Sequence, residues 1–240
     1  EETSNPGISM LAWPEIAAMT FESFEPRDSE LGKEIVTTVT VERENGYRNR
    51  SKERIVTRKT VTQSDLKSLH AAFNTAINFA KDPKGWLVFL GESYCGKTHL
   101  AASIGHDRII LGGQALLVDV SSLLDYLRQT FSKDSDISFS RRIHEIRTTP
   151  LLILDDIKAS QAGSVWAEDK LYSVLNYRFN THLPTVLTSA LKPDDFALSY
   201  PGLWNKLLDA SKCKIRVIDM PPYHHSEKPD KSKLHKKSSK

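Results

Sequence analysis

Apolar residues along this chain fall into short unbroken runs separated by longer segments of helical period. Four runs read as buried strands: Trp86-Leu87-Val88-Phe89-Leu90, residues 115–120, Leu151-Leu152-Ile153-Leu154, and 184–189, with Ile215-Arg216-Val217-Ile218 as a last one. The intervening segments predict helices over 64–81, 97–111, 121–131, 139–147, 166–180 and 202–210. In the first of these Leu66, Leu69, Phe73, Ala76, Ile77 and Ala80 share a face, and Ser64 is the expected cap. Strands alternating with helices predict an α/β fold with a mainly parallel sheet, helices on both faces, and a ligand beyond the C-terminal ends of the strands.

The first third departs from this pattern. Residues 33–42 and 53–61 are rich in β-branched side chains and flank Asn45-Gly46, which predicts a β-hairpin. Residues 10–26 carry Leu11, Trp13, Ile16, Phe21 and Phe24 among Pro14 and Pro26, so an irregular segment packed on the main domain is expected. The chain therefore divides into a packing segment (1–32), an inserted hairpin (33–61), an α/β core (62–220) and a disordered tail (221–240), with too few residues after the last strand for a helical lid.

Candidate chemistry concentrates at two strand ends. Directly after the first core strand, Gly91-Glu92-Ser93-Tyr94-Cys95-Gly96-Lys97-Thr98, followed by His99, fits G-x-x-x-x-G-K-[ST]. Glycines let such a loop turn tightly and aim backbone N–H groups at phosphate, the lysine meets the outer phosphates, and the threonine can hold Mg²⁺ at a helix N-terminus. The second end is Asp155-Asp156, closing a fully apolar strand 58 residues after Lys97 (155 − 97). In this context Asp155 is a candidate to hold the metal and Asp156 to orient or activate an attacking water. ATP and Mg²⁺ are the implied cofactors. A plain glycine-rich turn and a loop acid are the structural alternatives.

Charge and cysteine content change this picture little. The formal net charge is +3, but residues 226–240 contribute six lysines against two acids, a local +4, which leaves the remainder near −1. The lysine-rich tail is a candidate for electrostatic contact with nucleic acid or for simple solubility. Between Arg43 and Lys59, seven basic residues face two acids, consistent with a nucleic-acid-facing wing or with an edge hairpin protected by charge. Two cysteines make no metal or disulfide pattern, and no apolar run approaches membrane-spanning length; a soluble, cytoplasmic protein without membrane contact is expected.

Several further segments give the chain a family likeness: Thr20-Phe21-Glu22-Ser23-Phe24, Gly96-Lys97-Thr98-His99-Leu100-Ala101, Leu151 to Asp156, Trp166 to Tyr172, Asn176-Tyr177-Arg178-Phe179, and Pro184-Thr185 through Thr188-Ser189. Together with the nucleotide motifs they resemble the AAA+ ATPases of the DnaC/DnaI helicase-loader and IstB-like transposition-helper group. The resemblance implies a P-loop NTPase that binds ATP, self-associates into a spiral or ring, and acts on DNA with a replicative helicase or a transposase as partner. It also implies that Arg141, Arg142 and Arg147 lie where loaders face single-stranded DNA. Two positions depart from the group: Ala190 stands where an asparagine usually positions the water, and Lys206 where an arginine usually reaches a neighbouring subunit's γ-phosphate. Lysine lacks the planar fork of arginine, so slow hydrolysis is expected. A helicase loader is the leading expectation; a transposition helper or a weakly hydrolysing nucleotide-bound scaffold are the alternatives, and a small-molecule kinase shares the loop but not the other segments.

Overall fold

The computed structural model describes residues 8–45, 49–128, 139–158 and 165–223, with backbone alone where these fall within 38–55. Two 3-10 turns, Met10–Ala12 and Asp28–Glu30, and a short helix α1 (Pro14–Ala17) precede a hairpin of β1 (Glu34–Asn45) and β2 (Asn49–Thr60). The hairpin is antiparallel, in register from Glu34 opposite Thr60 to Asn45 opposite Asn49. The core follows as α2 (Gln63–Lys81), β3 (Trp86–Gly91), α3 (Lys97–Ile110), β4 (Ala115–Asp119), α4 (Val120–Arg128), α5 (Phe139–Thr148), β5 (Leu151–Asp155), α6 (Val165–Asn180), β6 (Thr185–Ser189), α7 (Pro193–Ser199), α8 (Pro201–Leu207) and β7 (Cys213–Ile218).

The five core strands form one parallel sheet in the order β4-β5-β6-β3-β7, so the phosphate-loop strand lies between β6 and β7 and the aspartate strand between β4 and β6. Side chains alternate across a strand, and the apolar runs split accordingly. Leu87, Phe89, Leu117 and Ile153 pack with α2, α3 and the N-terminal residues Met10, Leu11, Ile16 and Phe24. Trp86, Val88, Leu90, Leu116, Leu152 and Leu154 pack on the other face with α4, α6, α7 and α8. Burial on both faces explains why these strands read as continuous hydrophobic runs.

Local details revise three expectations. The cap of α2 is Thr62, not Ser64: Thr62 Oγ1 accepts from the Asp65 N–H (3.2 Å) while Asp65 Oδ2 accepts from the Thr62 N–H (2.8 Å), a reciprocal capping box. Helix α7 was not foreseen, and the helix expected at 202–210 begins at Pro201 and ends at Leu207. Residues 221–223, expected in the tail, pack against the phosphate loop as described below; the lysines of the tail lie outside the described residues. Of the hairpin's basic side chains, Lys59 bridges to Asp65 (3.0 Å) and to the Asp219 carbonyl, and Arg58 reaches Glu34 (3.4 Å); the other five lie outside the described side chains. Among the described residues no helix is long and apolar enough to cross a membrane.

A buried cation ties the layers together. Arg178 on α6 is fully buried and donates to Thr185 Oγ1 (2.9 Å) and to the carbonyls of Arg147 (3.0 Å), Thr149 (2.7 Å) and Pro184 (2.5 Å). It thereby satisfies partly buried backbone oxygens at the end of α5 and before β6. Burial depresses the guanidinium to about 9.

Candidate nucleotide site

The sharp exit from β3 builds the loop. Gly91 has φ +149°, and a Cβ there would lie 2.4 Å from the Ile218 carbonyl oxygen on neighbouring β7, so only glycine fits. Gly96, at φ +108°, is the N-cap of α3 and offers no side-chain cap, which leaves the first N–H groups of α3 directed toward the cleft mouth. Lys97 is buried, and its Nζ donates to the carbonyls of Gly91 (2.8 Å) and Glu92 (2.6 Å) with Cys95 Sγ at 3.7 Å. Ser93, Tyr94, Gly96, Lys97, Thr98 and His99 line the cleft; Gly91, Glu92 and Cys95 support the loop from behind.

The strand order brings the Asp155-Asp156 carboxylates to the same place. Thr98 Oγ1 lies 3.0 Å from both oxygens of Asp155, and Thr188 Oγ1, at the end of β6, donates to Asp155 Oδ1 at 2.6 Å. The same Thr188 hydroxyl accepts from the Asp156 N–H (2.9 Å), so it fixes both aspartates at once. Burial is the largest influence on Asp155 and pushes its carboxyl up; the Thr188 and Thr98 hydroxyls oppose this, while the charge of Asp156 adds to it. Asp156, which lines the same cleft, sits in the left-handed region (φ +60°), and its Oδ2 meets Lys158 Nζ at 2.9 Å.

A hydroxyl and a buried, charge-strained carboxylate side by side fit magnesium, which needs only one or two protein oxygens besides phosphate and water. Among the described residues no group of three or more His, Cys, Asp or Glu side chains is arranged to hold a metal ion, so an all-protein metal cage has no counterpart among them. The cleft measures about 640 Å³ and is also lined by Met19, Ala190 and Tyr223.

The N-terminal segment and the chain after β7 close one wall. His99 Nε2 lies 2.9 Å from the Thr20 carbonyl, and Phe24 stacks on Phe73 (5.2 Å, 19°) while meeting the His99 ring edge-on (5.1 Å, 88°). Arg27, buried and at φ +61°, forks onto Glu30 (3.0 and 2.6 Å), donates to the Pro221 carbonyl (2.6 Å) and lies 4.3 Å over the Tyr223 ring. Tyr223 in turn donates its N–H to the Tyr94 carbonyl and its hydroxyl to the Glu25 carbonyl, both at 2.9 Å. Burial pushes the Tyr223 phenol up to about 12.

The residues expected to act on a neighbouring subunit or on DNA lie outside the cleft. Lys206 lies on α8 with its ammonium 4.9 Å over the Phe179 ring and outside the cleft lining. Arg141 is exposed and pairs with Glu145 (3.0 Å). Arg142 packs over Tyr126 (4.3 Å) and donates to its carbonyl (2.8 Å), and Arg147 packs over Tyr177 (4.6 Å). Thr188 and Tyr223 are site residues that the sequence reading did not assign. A polar residue ending an apolar strand was the available signal for Thr188; nothing local marks Tyr223.

Comparisons with known proteins agree with this geometry. A family model described as IstB-like ATP binding protein matches residues 61–210. The replicative helicase loader DnaC of Buchnera aphidicola subsp. Acyrthosiphon pisum (strain APS) is 37% identical over 104 residues, 43% of this chain and 42% of the relative. The loader DnaI of Bacillus subtilis (strain 168) is 29% identical over 110 residues, 45% of this chain and 34% of the relative. An insertion-sequence protein of Mycobacterium tuberculosis, described as ATP-binding, is 28% identical over 152 residues, 61% of this chain and 58% of the relative. The chain thus spans less than half the length of these two loaders. Among solved structures, a DnaC helicase loader superposes with a TM-score of 0.53 at 20% identity, covering 63% of this chain and 90% of that one. A DnaI structure gives 0.52 at 22%, covering 65% and 85%. These last two similarities show a shared fold.

Proposed function

The chain belongs to the IstB-like ATP-binding protein family, and we propose that it uses Mg²⁺-ATP to assemble side by side on DNA as a replicative helicase loader. The observation that carries the reading is the meeting of Lys97, Thr98, Asp155 and Asp156 at one cleft, at the C-terminal ends of two strands separated in the sheet by β6. Thr98 and Asp155 would hold magnesium, which supplies positive charge against the phosphate oxygens. Lys97 would exchange its loop carbonyls for the outer phosphates, and Asp156 would accept a hydrogen bond from the attacking water. Lys206, remote from its own cleft, would act on the nucleotide of an adjacent subunit; contacts across such a boundary exist only with the triphosphate, which makes ATP an assembly switch. Arg141, the exposed arginine of α5, leads the candidate DNA contacts.

Sedimentation velocity with a non-hydrolysable ATP analogue and single-stranded DNA tests this reading. Assemblies larger than a dimer are expected only when both are present, and a monomer under every condition sinks it. A second reading, a transposition helper, is favoured by the greater coverage of the insertion-sequence relative, 61% of this chain against 43% for the DnaC relative. Capture of a replicative hexameric helicase by the nucleotide-bound assembly favours the loader; capture of a transposase favours the helper.

A further inference from the structure

The carboxylate assigned to the water carries a partner of its own. Asp156 Oδ2 and Lys158 Nζ are 2.9 Å apart, two residues from each other on the loop leaving β5. The backbone explains why they meet. Asp156 is left-handed, the Ile157 N–H donates to the Thr188 carbonyl (2.9 Å), and Ile157 is fully buried, so the turn is pinned and the two flanking side chains emerge together. The Lys158 carbonyl is held in turn by Tyr200 Oη (2.6 Å) at the start of α8. The ammonium also feels the field of Asp119 and Asp155, which with Asp156 form an acidic group at the C-terminal ends of β4 and β5. A lysine here is therefore a built-in counter-ion for the acids that a divalent cation would meet.

We propose that Lys158 is a positioning residue for Asp156: its ammonium holds that carboxylate in a resting pose and gives way when a divalent cation enters beside Thr98 and Asp155. The inference rests on the reading of Asp156 as the water-orienting group and names how that site is restrained. Two positive charges compete for one acidic group, so cation entry weakens the lysine's hold and frees Asp156 as the nucleotide site fills. The pair is roughly half-exposed, with side-chain accessibilities of 52% and 41%, which limits the restraint to a few-fold effect.

The test is a magnesium titration of the full chain bound to a fluorescent, non-hydrolysable ATP analogue, comparing wild type, Lys158→Met and Lys158→Arg. Loss of the competing charge in Lys158→Met is expected to lower the half-saturating magnesium concentration by about two- to fivefold, while Lys158→Arg stays at the wild-type value. DNA-free ATP turnover of Lys158→Met should rise by a similar factor. An unchanged or raised magnesium midpoint in Lys158→Met overturns the proposal, as does a turnover that falls. Wild type against Asp156→Asn turnover at saturating magnesium reports separately on the role of Asp156, so failure of that role is distinguishable from failure of the lysine restraint.

Discussion

Phe24→Ala tests whether the N-terminal segment is a structural part of the nucleotide site. The ring is buried, stacks on Phe73 at 5.2 Å, meets His99 edge-on at 5.1 Å, and comes within 3.2 Å of where a Cβ on Gly96 would stand. Truncating a buried phenylalanine costs about 3–5 kcal/mol, of which each well-placed aromatic pair supplies roughly 0.5–1.5 kcal/mol. Because one side of the ring touches the phosphate loop, part of that loss should appear as weaker nucleotide binding as well as lower stability. Urea denaturation gives the stability change, and calorimetric titration with Mg²⁺-ATP below the unfolding transition gives the affinity. Phe24→Leu keeps most of the volume but loses both ring pairs, so it should cost about 1–3 kcal/mol, less than Phe24→Ala, with nucleotide binding nearer normal. Destabilisation by Phe24→Ala with unaltered nucleotide affinity would refute the coupling.

Other perturbations separate stability from function. Asp155→Asn removes a buried carboxylate whose charged form is disfavoured, so the nucleotide-free protein should become more heat-stable while magnesium no longer strengthens ATP binding; a differential scanning melt with and without Mg²⁺-ATP reads both. His99 is held below its ordinary 6.5 by burial, so its stabilising contribution is present above pH 6.5 and is lost as pH falls through the lower folded value. Hydrogen-exchange protection factors of residues 19–24, which divide out the intrinsic pH dependence of exchange, should therefore fall on acidification below 6.5, and His99→Gln should flatten that dependence. Arg178→Met leaves the Arg147, Thr149 and Pro184 carbonyls without their donor and should cost about 3 kcal/mol in urea denaturation, even after the cost of burying the charge is returned.

What the sequence revealed follows from how local each feature is. The phosphate loop and the apolar strand ending in Asp155-Asp156 are contiguous, and their chemistry needs only neighbours a few residues away, so both were legible. The capping box of α2 was equally local, Thr62 with Asp65 three residues on, and was overlooked in favour of Ser64. Thr188 became visible as the link between the two aspartates only once β6 was placed beside β5, since its partners lie 32 and 33 residues away. Tyr223 and Arg27 are further apart still: Arg27 reaches the Pro221 carbonyl across 194 residues, and a polar, lysine-rich surrounding disguised the ordered start of that segment. The surroundings of Arg142 and Arg147 are likewise set by folding. The family resemblance implied that these residues face single-stranded DNA; folding lays both guanidinium groups over tyrosines of adjacent helices and leaves Arg141 the most exposed of the three.

Everything proposed for DNA and partners depends on a triphosphate being gripped where β3 meets α3. Isothermal titration calorimetry of Mg²⁺-ATP against wild type and Lys97→Ala measures that grip directly. Loss of a charge-assisted phosphate contact predicts affinity at least about tenfold weaker in the variant, and equal affinity for the two proteins would contradict the account.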